Sequence, residues 1–72
     1  MVQILDYARM RMAQRGVSVA DVEAALAQEV RPPRAANRPG RVIKCGLDTS
    51  GRLLKVIVNE HGEVVNVLVP QR

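Results

Sequence analysis

The sequence predicts an α+β fold, with two N-terminal helices packed on a three- to four-stranded antiparallel sheet. Three observations predict it. Helix formers bracketed by cap residues occupy residues 4–30, a Pro-rich break follows at 31–40, and Val- and Ile-rich segments separated by turn clusters fill 41–70. At 72 residues the chain is one domain with these three parts.

Residues 2–5 are apolar or neutral and read either as a short edge strand or as the lead-in to the first helix. Asp6 is the expected N-cap of a helix running to Arg15, and Gly16 sits where a left-handed residue ends it. Ser18 caps the second helix, with Asp21 three residues on as a variant of the capping box. That helix is expected over about 19–28. Its apolar stripe is Val19, Val22, Ala25 or Leu26, and Val30.

The segment RPPRAANRPG, residues 31–40, carries three prolines and a glycine, which rule out regular helix there. Its three arginines leave two readings open, an irregular connector or a mobile basic arm.

Strands are expected at about 41–47, 52–59 and 63–69. The cluster Asp48 to Gly51 separates the first two, and His61-Gly62 the last two. A two-residue loop at His61-Gly62 pairs residues whose numbers sum to ~123, and a four-residue loop at 48–51 gives a sum of ~99. On that register Ile43, Cys45, Leu54, Val56, Val58, Val65, Val67 and Val69 share the helix-covered face. The opposite face carries Val42, Lys44, Leu53, Lys55, Ile57, Val64, Asn66 and Leu68. This uncovered aliphatic face suggests a partner surface centred on Leu53, Ile57 and Leu68, or else the scattered exposure of any small protein.

Composition excludes several classes. Tyr7 is the single aromatic residue, so base stacking on an aromatic platform is excluded. One cysteine and one histidine cannot build a structural zinc site, so neither metal nor cofactor is expected. Cys45 reads as a small buried hydrophobe, and a lone thiol fits a reducing, cytoplasmic setting. With no signal-peptide pattern and no 18-residue apolar run, secretion and membrane partners are not expected. His61, at a hairpin tip, is expected to be exposed and idle.

The net charge of +4 rests mainly on arginine, whose planar fork binds two phosphate oxygens at once. A polyanion such as RNA is one reading of that charge, and an arginine-rich solvated surface is the other. Tyr7, Arg11 and Arg15 recur every four residues and so share one stripe of the first helix, beside Ala8 and Met12, which can face the sheet. Such a stripe can hold phosphates or stabilise charge on a phosphorus centre; the plainer reading is a solvated helix face.

The run from Tyr7 to Ser18, YARMRMAQRGVS, resembles the opening of a bacterial toxin-like domain family of unknown function related to the BrnT and RelE toxins. Val22-Glu23 stands where that family's second-helix motif is expected. Residues 54–58 and 63–68 are similar to its closing strands. The resemblance covers nearly the whole chain. It implies a RelE/ParE-like sheet with two helices on it and the activity of a type II toxin, an endoribonuclease of the mRNA interferase kind. RNA, on the ribosome or free, would be the substrate, and a cognate antitoxin the partner. Carried over by position, Arg11 and Arg15 match family arginines and join Tyr7 as candidate catalytic residues. Tyr7 replaces the family's leading histidine, and a phenol is not a ready base near neutral pH. Asn66 falls where relatives often have threonine. Arg9, Arg34, Arg38, Arg41, Lys44 and Lys55 are the accompanying candidates for RNA contact. A non-catalytic interaction module, forming a homodimer or an antitoxin complex through the outer sheet face, is the alternative.

Overall fold

The computed structural model describes residues 2–70. Helix α1 spans Asp6–Arg15 and helix α2 spans Val19–Ala27. Four strands follow, β1 at Arg34–Ala35, β2 at Val42–Leu47, β3 at Leu53–Val58 and β4 at Val64–Leu68, paired antiparallel in the order β1-β2-β3-β4. This is the expected α+β fold. The fourth strand, β1, arises inside the Pro-rich segment.

Helix α1 begins one residue away from expectation. Leu5 is its N-cap, without a side-chain cap, and Asp6 is the first helical residue, where its charge favours the helix N-terminus. Gly16 ends the helix with φ 67°, and its N–H reaches Met12 O. Ser18 and Asp21 form the full capping box of α2. Asp21 does more than cap. Its Oδ1 also accepts from the backbone N–H and the hydroxyl of Thr49, tying the start of α2 to the turn between β2 and β3.

Ala8 and Met12 of α1, Val17 between the helices, and Val22 and Ala25 of α2 form the helical half of the core. Leu54, Val56, Val58, Val64 and Val67 form the sheet half. Of the expected α2 stripe, Val19 and Val30 lie exposed.

Both hairpin loops depart from expectation, one shorter and one longer, and reach the same length. Asp48-Thr49-Ser50-Gly51-Arg52 and Asn59-Glu60-His61-Gly62-Glu63 are the same three-residue loop built twice. In each, the first residue's N–H bonds the fifth residue's carbonyl, at 2.8 Å for Asp48–Arg52 and 3.0 Å for Asn59–Glu63. In each, the fourth residue is a glycine at positive φ, 85° for Gly51 and 78° for Gly62. In each, the Asp or Asn side chain accepts the N–H groups two and four residues on.

The loop length resets the register. Strand β2 pairs with β3 as Val42↔Val58 through Leu47↔Leu53, one residue away from the expected alignment. Every β2 side chain therefore changes face. Val42 packs against the core, and Lys44, opposite Val56, turns to the helix side. Ile43 moves to the outer face, as does Cys45, opposite Lys55. Cys45 is still buried, as expected, but outside the main core cluster. Between β3 and β4 the expected alignment holds for Lys55↔Leu68, Val56↔Val67 and Ile57↔Asn66. A bulge then inserts Val65, so Val58 pairs with Val64. Val64, expected outside, is fully buried in the core, while Val65, expected within it, is buried elsewhere.

The Pro-rich segment is an ordered hairpin arm. After α2 the chain follows the edge of β2, with Leu47 N–H on Gln28 O and Val30 N–H on Cys45 O. Prolines 32 and 33 sit where no ladder donor is needed, and Arg34–Ala35 then pair with Ile43 and Val42. Arg38-Pro39-Gly40-Arg41 closes the arm as a type II turn. Proline holds its second position and Gly40, at φ 76°, its third; Arg41 N–H reaches Arg38 O at 3.3 Å.

Asp48 is buried, at 3% exposure, and anchors this end of the molecule. Its Oδ1 accepts from Ser50 N–H, Ser50 Oγ and Arg52 N–H, and its Oδ2 from Arg52 Nε at 2.9 Å. Burial raises its pKa, but the bonds from Arg52 and Ser50 outweigh that and hold it below the ordinary value of 3.8. Asp21 is depressed as well, first by the Ser18 N–H and then by the Thr49 hydroxyl. A folded-state pKa below the unfolded one gives stability that is fully present above the ordinary carboxylate value. That stability is lost as pH falls through the depressed value. Acid unfolding is therefore expected to begin below pH 3.8, and Asp48→Asn is expected to flatten that limb while lowering stability at neutral pH. Circular dichroism across an acid titration checks both.

Candidate nucleic-acid interface

The stripe on α1 forms, but its members have different occupations. The guanidinium carbon of Arg11 lies 5.8 Å from the Tyr7 ring centroid, a cation–π pair. Arg11 Nη1 also reaches Gln14 Oε1 at 3.4 Å, while its buried Nε has no partner among the described residues. Arg15, at the other end of the helix, donates Nη1 to Val67 O at 3.2 Å. Asn66 Oδ1 accepts the Val67 N–H at 2.8 Å. Together Arg15 and Asn66 satisfy both backbone groups of an edge-strand residue, so Arg15 serves the sheet edge. Neither Arg11 nor Arg15 is held by a carboxylate. Among the described residues the one ion pair is Arg52–Asp48.

Tyr7 is half exposed and opens onto a concavity of about 400 Å³ that it lines with Leu5, Arg38, Arg41, Val65 and Asn66. Three local features build this cleft. The type II turn carries Arg38 and Arg41 towards the sheet. The pairing of Asn66 with Ile57 keeps Asn66 on the outer face. The start of α1 is fixed beside β4, because Leu5 N–H bonds Val64 O and Val64 N–H bonds Gln3 O. The expected edge pairing of residues 2–5 is thus realised as a single parallel bridge at Ile4. With its oxygen engaged by Val67, Asn66 keeps its NH2 group for another acceptor.

The cleft continues across the outer sheet face. A second concavity of about 270 Å³ shares Arg38, Arg41 and Asn66 and is floored by Ile43, Ile57 and Leu68. No aspartate or glutamate lines either part. The joined cleft therefore presents two guanidiniums, a phenol and an amide to an anion over an aliphatic floor, with Arg11 stacked behind Tyr7.

The other sequence candidates separate. Arg9 bonds Ile4 O and lines a different hollow with Val2 and Gln3. Arg34 lies exposed on β1, near Glu60. Lys44 has left the outer face with the change of register. Lys55 and Leu53 stay on that face but at its far end. Of the expected partner surface, Ile57 and Leu68 floor the cleft. Sequence reasoning did not join Tyr7 to Arg38 and Arg41, because that meeting depends on β1, a two-residue strand within a Pro-rich run. The available signal was the Pro39-Gly40 pair, which specifies the turn.

No protein-family model, curated protein or solved structure matches this chain. Among the described residues no helix is long and apolar enough to cross a membrane.

Proposed function

We propose that this chain is a toxin-like RNA-binding domain that takes a phosphodiester into the Tyr7–Arg38–Arg41–Asn66 cleft and cleaves it. The observation that carries the reading is that Arg38, Arg41 and Tyr7 line one cleft with no carboxylate in its lining. The resemblance of residues 7–18 to the BrnT/RelE-related domains supports it independently.

The chemistry follows from the groups present. The ribose 2′-oxygen attacks the adjacent phosphorus and the bond to the 5′-oxygen breaks, leaving a 2′,3′-cyclic phosphate and a 5′-hydroxyl. Arg38 and Arg41 neutralise the charge that builds on the non-bridging oxygens. Tyr7 donates its phenolic proton to the departing 5′-oxygen. The 2′-proton goes to solvent hydroxide, because no imidazole or carboxylate lines the cleft. Cleavage is therefore expected to accelerate with pH through the neutral range.

The test is purified protein with end-labelled RNA, with and without ribosomes. Salt-dependent binding and products ending in a cyclic phosphate are expected. Tyr7→Phe is expected to keep affinity within about twofold and to lower cleavage about 10²- to 10⁴-fold, the range of a lost general acid. Binding without cleavage overturns the catalytic half alone. Absence of salt-dependent RNA binding overturns the whole.

One observation favours a second reading. Ile43, Ile57 and Leu68 form an aliphatic floor over which no helix or strand of the described residues packs, which suits a homodimer or an antitoxin-like partner. Light scattering at micromolar concentration separates the two, since on the first reading the free protein is a monomer.

A further inference from the structure

Beyond the cleft, the same outer face holds a second cation cluster. Arg31, Arg52 and Lys55 surround a concavity of about 600 Å³ with Leu47, Leu53 and Gly51, and no carboxylate lines it. Arg52 is fixed there, its Nε on Asp48 and its Nη2 on Gly16 O at 3.3 Å. Asp48 therefore offsets its charge. Arg31 and Lys55 have no acidic partner within ion-pair distance among the described residues, so they supply the free positive charge.

This basin adjoins the cleft on the same sheet face, with no lining residue in common. Lys55 lies directly opposite Leu68, which floors the cleft, and two residues from Ile57 along β3. From Ile43 to Leu47 the outer face of β2 runs about 13 Å, at about 3.3 Å per residue. A single phosphate cannot occupy both ends, whereas a short chain of nucleotides can. The residues between them on that face, Cys45, Ile57 and Leu68 among them, give bases no aromatic surface on which to stack.

We propose that Arg31 and Lys55 form a second phosphate subsite, and that the ligand of the whole face is a single-stranded phosphodiester chain of several nucleotides, held by its backbone with little regard for base. This rests on the cleft reading and extends it. Both concavities are indentations of one sheet face, which a flexible strand can follow and a rigid duplex cannot.

The experiment measures affinity for 2′-O-methyl oligouridylates, which resist cleavage, at lengths of two and eight. The proteins are wild type, the double variant Arg31→Ala/Lys55→Ala and the double variant Arg38→Ala/Arg41→Ala. Arg52 is left in place because it holds the turn. Thermal melts establish that each variant is folded. Wild type is expected to bind the octamer at least about tenfold more tightly than the dimer. Arg31→Ala/Lys55→Ala is expected to abolish that gain, leave dimer affinity unchanged and reduce the salt slope by about 1.4, from about 0.7 per phosphate. Octamer affinity equal to wild type in that variant overturns the subsite and leaves the cleft standing. Octamer loss in that variant, with no effect of Arg38→Ala/Arg41→Ala, overturns the cleft and leaves the basin as a separate anion site. Equal affinity for an eight-base-pair duplex overturns the single-strand assignment.

Discussion

Gly46→Ala is expected to lower the thermal midpoint of unfolding by more than about 10 °C, or to prevent folding. A Cβ at this position would lie 1.9 Å from Ala25 O and 2.6 Å from the Ala25 carbonyl carbon. The obstacle is backbone of α2, which cannot swing aside as a side chain could. Relief requires moving the helix off the sheet, and with it the packing of Val22 and Ala25 on Leu54. Overpacking of this kind costs about 3 kcal/mol at the upper end of its usual range. For a domain of this size each kcal/mol shifts the midpoint by about 4–8 °C. Gly62→Ala is the contrast. Nothing lies within 4 Å of its added Cβ, and only the left-handed backbone at φ 78° opposes it, a cost of about 1–2 kcal/mol. Thermal melts by circular dichroism compare the two, and a Gly46→Ala midpoint within a few degrees of wild type would mean that α2 does not sit this close to β2.

The second large effect is expected on binding. Arg38→Ala/Arg41→Ala is expected to weaken RNA binding by about 100-fold or more. A hydrogen bond to a charged group contributes about 1.5–3 kcal/mol, so two lost phosphate contacts exceed the roughly 2.8 kcal/mol of a hundredfold change. The salt dependence should become shallower by about 1.4, at about 0.7 per phosphate. Arg9→Ala/Arg34→Ala removes the same two formal charges from outside the cleft and is expected to change affinity by less than about twofold. Fluorescence anisotropy against salt measures both. Equal losses for the two double variants would show that net charge, not the cleft, governs binding.

How far the sequence foretold this arrangement depended on which physical signal each part rests on. Gly16, Ser18 and Asp21 carry local chemistry that only one backbone arrangement satisfies, and they sit where expected. The strands were legible from their valines and isoleucines, with ends within about a residue. Register was not, because it rests on loop length. Asp48-x-x-Gly51 and Asn59-x-x-Gly62 repeat one pattern at a spacing of eleven residues. Reading them as four- and two-residue loops moved Ile43, Cys45 and Lys44 to the wrong faces. The bulge at Val65 was hidden among valines that fit either side of a sheet. For the site, helical spacing found the Tyr7–Arg11 pair. It could not foresee that Arg15 would satisfy Val67 O, because that contact spans 52 residues of sequence. Arg38 and Arg41 were identified as cations, but their approach to Tyr7 needed the β1–β2 hairpin to be known.

The closed borders of the sheet have a further consequence. Val67 of β4 has its outward N–H and C=O occupied by Asn66 and Arg15, Val64 is taken by Gln3 and Leu5, and the far border is a strand only two residues long. Among the described residues a second molecule therefore finds only the two-residue edge of β1 to extend, and a stable pair is expected to meet flat, across Ile57 and Leu68. Those residues also floor the proposed polyanion path, so on that proposal self-association and nucleic-acid capture compete for one surface, and raising protein concentration is expected to weaken RNA binding.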